Sequence, residues 1–80
     1  MPRYFLHTRS SHGDIEDSEG LVLADLEAAR REAVAGARAI LCEEVMIGRL
    51  HLDERIDIEN ERHEVLLSVE FRDVVEISEA

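Results

Sequence analysis

The chain has 80 residues and a formal net charge of −10, from 19 acids against nine bases. All nine bases are arginine, which reads as base-composition bias rather than function. A chain of this size hides only about 60% of its unfolded surface on folding, so the core is thin and self-association is a reasonable expectation. The hydrophobic fraction of 45% argues against disorder. The negative field argues against binding phosphate backbones or anionic membranes, and it leaves room for a basic protein partner. No apolar run approaches the roughly 20 residues of a membrane span. The N-terminus lacks a signal-peptide pattern, and the one cysteine, Cys42, cannot form an internal disulfide, so a cytoplasmic setting is expected.

The chain opens MPRYFLHTR, with Tyr4 and Phe5 adjacent and His7 two places on. Residues 3–9 read as a strand, and neighbours in a strand point to opposite faces. Tyr4, Leu6 and Thr8 form the more uniformly apolar set and are assigned to the core face. Phe5, His7 and Arg9 then face the other way. Ser10 to Gly13 is a turn signal. The acidic stretch DIEDSEG, residues 14–20, leads into Leu21-Val22-Leu23. It predicts a second strand, bulged or broken around Ser18 to Gly20, that pairs with the first as a hairpin.

Asp25 is placed to accept hydrogen bonds from the free N–H groups of a helix start. From Leu26 to about Ile47 the apolar spacing is helical. Leu26, Ala29, Ala33, Ala37, Ile40 and Leu41 share one face, with Val34 and Ile47 at its flanks. The small residues at its centre predict a helix lying tight across a sheet. Glu44 stands near the apolar stripe, which predicts that the last turn rises out of the core. Gly48 suits the helix C-terminus. The period then changes to two: Ile56 and Ile58 alternate with acids, and Val65, Leu67, Val69 and Phe71 alternate with Leu66, Ser68, Glu70 and Arg72. Asn60 to His63 is the turn between them. Residues 73–77 either extend the last strand or form a short extra element.

The expected architecture is one α+β domain over residues 1–80, a two-layer β-β-α-β-β sandwich. One long helix, about 25–47, packs on one face of a four-stranded, mainly antiparallel sheet. The second sheet face is left uncovered. Phe5, His7 and Leu66 are expected there as an interaction face, joined by Val22 or Val75.

Three stretches belong together: the opening MPRYFLHTR, the acidic step Asp17-Ser18-Glu19-Gly20, and the helix start Asp25-Leu26-Glu27-Ala28-Ala29-Arg30. With the closing Ser68-Val69-Glu70-Phe71-Arg72-Asp73, they resemble a family of short bacterial proteins known as a domain of unknown function. Its members open M-P-R-Y/F-F-F-H and have a D-L-E-A-A-R helix start. Where members carry an acidic residue and a glycine in the closing turn, this chain has Asn60-Glu61-Arg62-His63. The resemblance implies a fold and a bacterial, cytoplasmic setting. It implies no activity and no catalytic residues.

No catalytic or metal constellation stands out. His7, His12, His51 and His63 lack zinc-type spacing; His7 and His12 flank the first turn, where they can approach one another. Cys42 lies among carboxylates far from the helix start and reads as inert. Asp14, Glu16, Asp17 and Glu19 form an acidic cluster without the EF-hand pattern, read as a solvated hairpin edge. Phosphate-binding glycine motifs and a serine nucleophile elbow are absent from the sequence. The expectation is a non-enzymatic protein-interaction or regulatory module acting as a homodimer, with no cofactor, no nucleic acid and no membrane. The alternatives are an antitoxin-like or inhibitor-like partner of a basic protein, and a small-ligand or metal-binding protein using His7 and the acidic hairpin.

Overall fold

The computed structural model describes residues 1–79. In chain order it has β1 (Arg3–Arg9), β2 (Leu21–Val22), α1 (Leu26–Met46), β3 (Arg55–Glu59) and β4 (Val65–Glu70). A short 3-10 turn, Phe71–Asp73, follows β4. The sheet order is β2-β1-β3-β4 and every pairing is antiparallel. This is the helix-on-sheet α+β arrangement expected from the change of period along the chain.

Strand register decides which residues meet α1. Leu6 lies opposite Ile58 and Thr8 opposite Ile56. Ile58 in turn faces Leu67, and Ile56 faces Val69. With Tyr4 these make the row beneath the helix; Tyr4, Ile56, Ile58 and Val69 are buried. The other parity, Phe5, His7 and Arg9 with Asp57 and Ser68, lies on the open face. The adjacent aromatics therefore divide as the alternation requires, with Tyr4 inside and Phe5 outside.

α1 comes close because its contact face is made of methyl groups. Ala29, Ala33 and Ala37, four residues apart, are fully buried, and Leu41 continues the line. A Cβ at Gly36 would meet Ile56 at 3.8 Å, an ordinary contact distance. The helix starts where Asp25 Oδ1 accepts from the Ala28 N–H at 2.8 Å. It ends in a paired reversal: Gly48 N–H donates to the Val45 carbonyl and Arg49 N–H to the Glu44 carbonyl, at 3.0 and 2.8 Å. Gly48 takes φ +78°, the left-handed conformation that such an ending needs.

Three expectations change. Ile47 lies beyond the last helical residue and is exposed rather than flanking the buried stripe. β4 ends at Glu70, and the chain turns at Phe71, whose N–H donates to the Glu54 carbonyl at 3.0 Å. Phe71 is fully buried all the same, because the turn tucks it under the helix. Val75 packs toward the helix side, not on the open face: Arg38 Nε holds the Val74 carbonyl at 2.8 Å and draws the tail across α1. Among the described residues no helix is long and apolar enough to cross a membrane.

Candidate functional site

The hairpin keeps one bridge beyond β1, where Thr8 and Ile15 exchange backbone hydrogen bonds of 2.8 and 2.9 Å. Pairing resumes only at Leu21 and Val22. Asp17 spans the gap: its Oδ2 accepts from the Leu6 N–H at 3.1 Å and its Oδ1 from the Gly20 N–H at 2.9 Å. Partial burial works to raise the Asp17 pKa, but these backbone donors outweigh it and hold the carboxyl below its ordinary value. Gly20 is forced by the same arrangement. Its φ is +72°, and a Cβ there would lie 2.8 Å from the Tyr4 carbonyl oxygen.

The acidic cluster does not converge on one point. Asp14 accepts from Arg9 and from the Ser10 N–H. Glu16 pairs with Arg9 and lies 3.0 Å from His7 Nδ1. Asp17 is held by backbone, and at Glu19 it is the main-chain carbonyl that accepts from Arg3. Asp14 and Glu16 share Arg9 while Asp17 is taken by main-chain N–H groups, so the four do not gather around one point.

On the open face Phe5 stacks with His7, ring centres 6.4 Å apart and planes within 11° of parallel, and tilts against His63. His7 is buried. Its Nδ1 accepts from the Asp17 N–H at 3.0 Å and also lies 3.0 Å from Glu16, while its Nε2 lies 3.4 Å from Glu59. Arg9 lies 3.6 Å from both Asp57 and Glu59. Asp57 accepts from Ser68 Oγ at 2.7 Å and Arg55 Nε at 3.0 Å. Burial opposes the Asp57 charge, but the Ser68 and Arg55 donors prevail and its pKa falls. This face is thus a self-satisfied charge network rather than an apolar one. Leu66, on β4 two strands from Phe5, is exposed; it is the extra residue of a bulge, between Val65 opposite Glu59 and Leu67 opposite Ile58.

A second constellation sits at the far end of α1. The reversal at Gly48 turns the chain back, so that His51 and Glu54, in the approach to β3, meet Glu44 of the last helical turns. Glu44 Oε2 accepts from the His51 main-chain N–H at 3.1 Å and from its Nδ1 at 2.6 Å. One donor atom from each of Glu44, His51 and Glu54 lies within 4.8 Å of the others. Burial and the neighbouring Glu44 carboxylate both raise the Glu54 pKa, against the pull of His51. Burial also acts to raise that of Glu44, but the hydrogen bonds from His51 and Glu54 win and lower it. Of the two carboxyls, Glu44 is thus the more readily charged and Glu54 the more readily protonated. His12, from the β1–β2 hairpin, reaches this group: its ring centre is 4.6 Å from that of His51. It does not meet His7, as its place beside the first turn suggested. These residues line an open cavity of about 370 Å³ with Ser10, Ile47 and Arg49.

Glu44 was visible beforehand only as an acid out of place on an apolar stripe. Nothing in the spacing joined it to His51 and Glu54. The helix does not simply rise out of the core there; it presents Glu44 to a loop that folds back on it.

Comparison with known proteins bears on the whole fold rather than on any one site. A family model described as a domain of unknown function (DUF6894) matches residues 3–72. The chain belongs to this family. The match runs from β1 through the start of the 3-10 turn, taking in the hairpin, α1, and both remaining strands. No curated protein and no solved structure matches.

Proposed function

We propose that this DUF6894 domain acts by binding rather than catalysis, as an interaction module that pairs with a second copy of itself along β4. The carrying observation is the difference between the two sheet edges. β2 is two residues long, and short strands are one way natural sheets protect an edge. β4 is six residues long and, among the described residues, pairs on one side only, with β3, in regular register from Leu67 to Glu70 and with a bulge at Leu66. Its sequence, VLLSVE, contains no proline or lysine to guard it, and Val65 and Leu66 are 54% and 41% exposed. Two such strands related by a twofold axis pair antiparallel and join the sheets into one. Arg30 lines the groove beside β4 together with Glu70 and Asp73, so an isologous contact has both charge signs at its rim.

Each copy carries −10, so association works against repulsion that salt screens. Sedimentation equilibrium across salt concentration tests this. A dimer that tightens from low to physiological salt is expected, with Leu66→Lys monomeric and unchanged by circular dichroism. A wild-type monomer at high micromolar concentration overturns the reading, as does a dimer indifferent to Leu66→Lys.

A further inference from the structure

We propose that Glu44, His51 and Glu54 form a binding site for a divalent first-row transition cation of the zinc class, with His12 available as a fourth ligand. The argument starts from Glu54. Its side chain belongs to a residue only 9% exposed, yet it faces another carboxylate across a shared cavity. Its side-chain hydrogen bond is shared with the Glu44 carboxylate rather than made to an arginine. A buried carboxylate in that position needs either a proton or a cation. A proton answers Glu54 alone. A dication answers both carboxylates at once and takes a lone pair of His51 as well.

The donor set selects the class of ion. Calcium and magnesium favour sites built of oxygen alone, whereas an imidazole beside carboxylates suits zinc, manganese or iron. A thiolate takes no part, because Cys42 lines the apolar groove on the other side of the helix end, with Val45, Met46 and Ile77. Zinc ligands lie about 2.0–2.2 Å from the metal, so donors already within 4.8 Å of one another close on it by small side-chain rotations. On binding, His51 Nδ1 turns from hydrogen-bond donor to ligand, and the ring carries its one proton on Nε2. The ring coordinates as neutral imidazole, and any proton on Glu54 is released. Arg49 lines the same cavity and opposes a positive ion, while Asp53 adds to the negative field felt at Glu54. The acids outnumber it.

The site ties three segments that are separate in sequence: the end of α1, the loop into β3 and, through His12, the tip of the first hairpin. Binding there stabilises the folded chain by mass action. The experiment is calorimetric titration of the full metal-free chain with zinc chloride, repeated with calcium chloride and accompanied by thermal melts. Using Leu66→Lys alongside wild type separates this result from that of self-association. One equivalent of zinc is expected, with a raised Tm and no comparable response to calcium. Glu54→Gln and His51→Gln should each weaken binding at least tenfold while keeping the wild-type circular dichroism spectrum. The exposed histidine elsewhere, in His63→Ala, should leave it unchanged. Absence of zinc binding overturns the proposal. So does binding that survives Glu54→Gln, binding lost with His63→Ala, or equal affinity for calcium.

Discussion

Replacing Asp17 by asparagine tests how the broken hairpin is held. In the wild type one carboxylate accepts two main-chain N–H groups, from Leu6 and Gly20, where a continuous strand would have supplied carbonyls. Asparagine offers one oxygen and one NH₂ group. It keeps at most one of these bonds and sets a donor against a donor at the other. A hydrogen bond to a charged acceptor contributes about 1.5–3 kcal/mol, and the partial exposure of Asp17 places the loss near the middle of that range, at about 2 kcal/mol. For a domain of this size that corresponds to a fall in Tm of about 8–16 °C. The pH dependence has a fixed sign. The folded pKa of Asp17 lies below its unfolded value, so its contribution is present above the unfolded pKa and is lost as pH falls through the folded one. Urea denaturation of Asp17→Asn and wild type between pH 7 and pH 2 should show a gap that is full at neutrality and narrows in acid. A destabilisation under about 0.5 kcal/mol at pH 7, well below one charge-assisted bond, would refute the assignment. A gap that persists unchanged at pH 2 would refute the electrostatic part of it.

Two further substitutions probe close approach. Gly20→Ala should destabilise more than Gly48→Ala in the same denaturation assay. Both glycines have positive φ, which costs about 1 kcal/mol for alanine, but only at Gly20 would the new Cβ meet a backbone oxygen at 2.8 Å, whereas nothing lies within 4 Å at Gly48. Ala33→Leu should cost about 1–3 kcal/mol by forcing α1 away from the sheet, since Ala33 is fully buried at the helix contact.

The broad architecture could be read from periodicity because each element obeys its own period over most of its length. Ile56 and Ile58 alternate with acids, Leu67 and Val69 alternate with Ser68 and Glu70 in the neighbouring strand beyond the bulge that displaces Val65, and α1 repeats alanine every four residues under clear caps at Asp25 and Gly48. What escaped was set by contacts distant in sequence. Phe71 keeps the parity of β4, so alternation extends the strand through it. The structure ends β4 at Glu70, because the Phe71 N–H is taken by the carbonyl of Glu54. The open face holds Phe5 and His7 together, yet its charge is balanced internally by Arg9 and Arg55 against Asp57 and Glu59. Composition alone offers no way to see which acids are already partnered.

The same reasoning explains why the Glu44 constellation is invisible along the chain and informative in space. Glu44, His51 and Glu54 are separated by seven and three residues, spacings with no regular helical or strand meaning across a reversal. Their meeting depends on Gly48 adopting a left-handed conformation that folds the following loop back onto the helix. Among the described residues the other side-chain carboxylates divide into those on the surface and those with an arginine, hydroxyl or backbone donor, as Asp17, Asp57 and Glu27 have. Glu54 does neither: it is buried beside a like charge and takes its raised pKa from that. A sequence under selection for stability alone replaces such an acid readily, since glutamine or leucine at that place removes the repulsion. Glu54→Gln therefore separates the two accounts in one variant. If the acid serves no cation, removing the repulsion stabilises the chain with or without zinc. If it serves a cation, the variant is more stable than wild type in chelator and less stable in zinc, and that crossing of the two melts is the result expected.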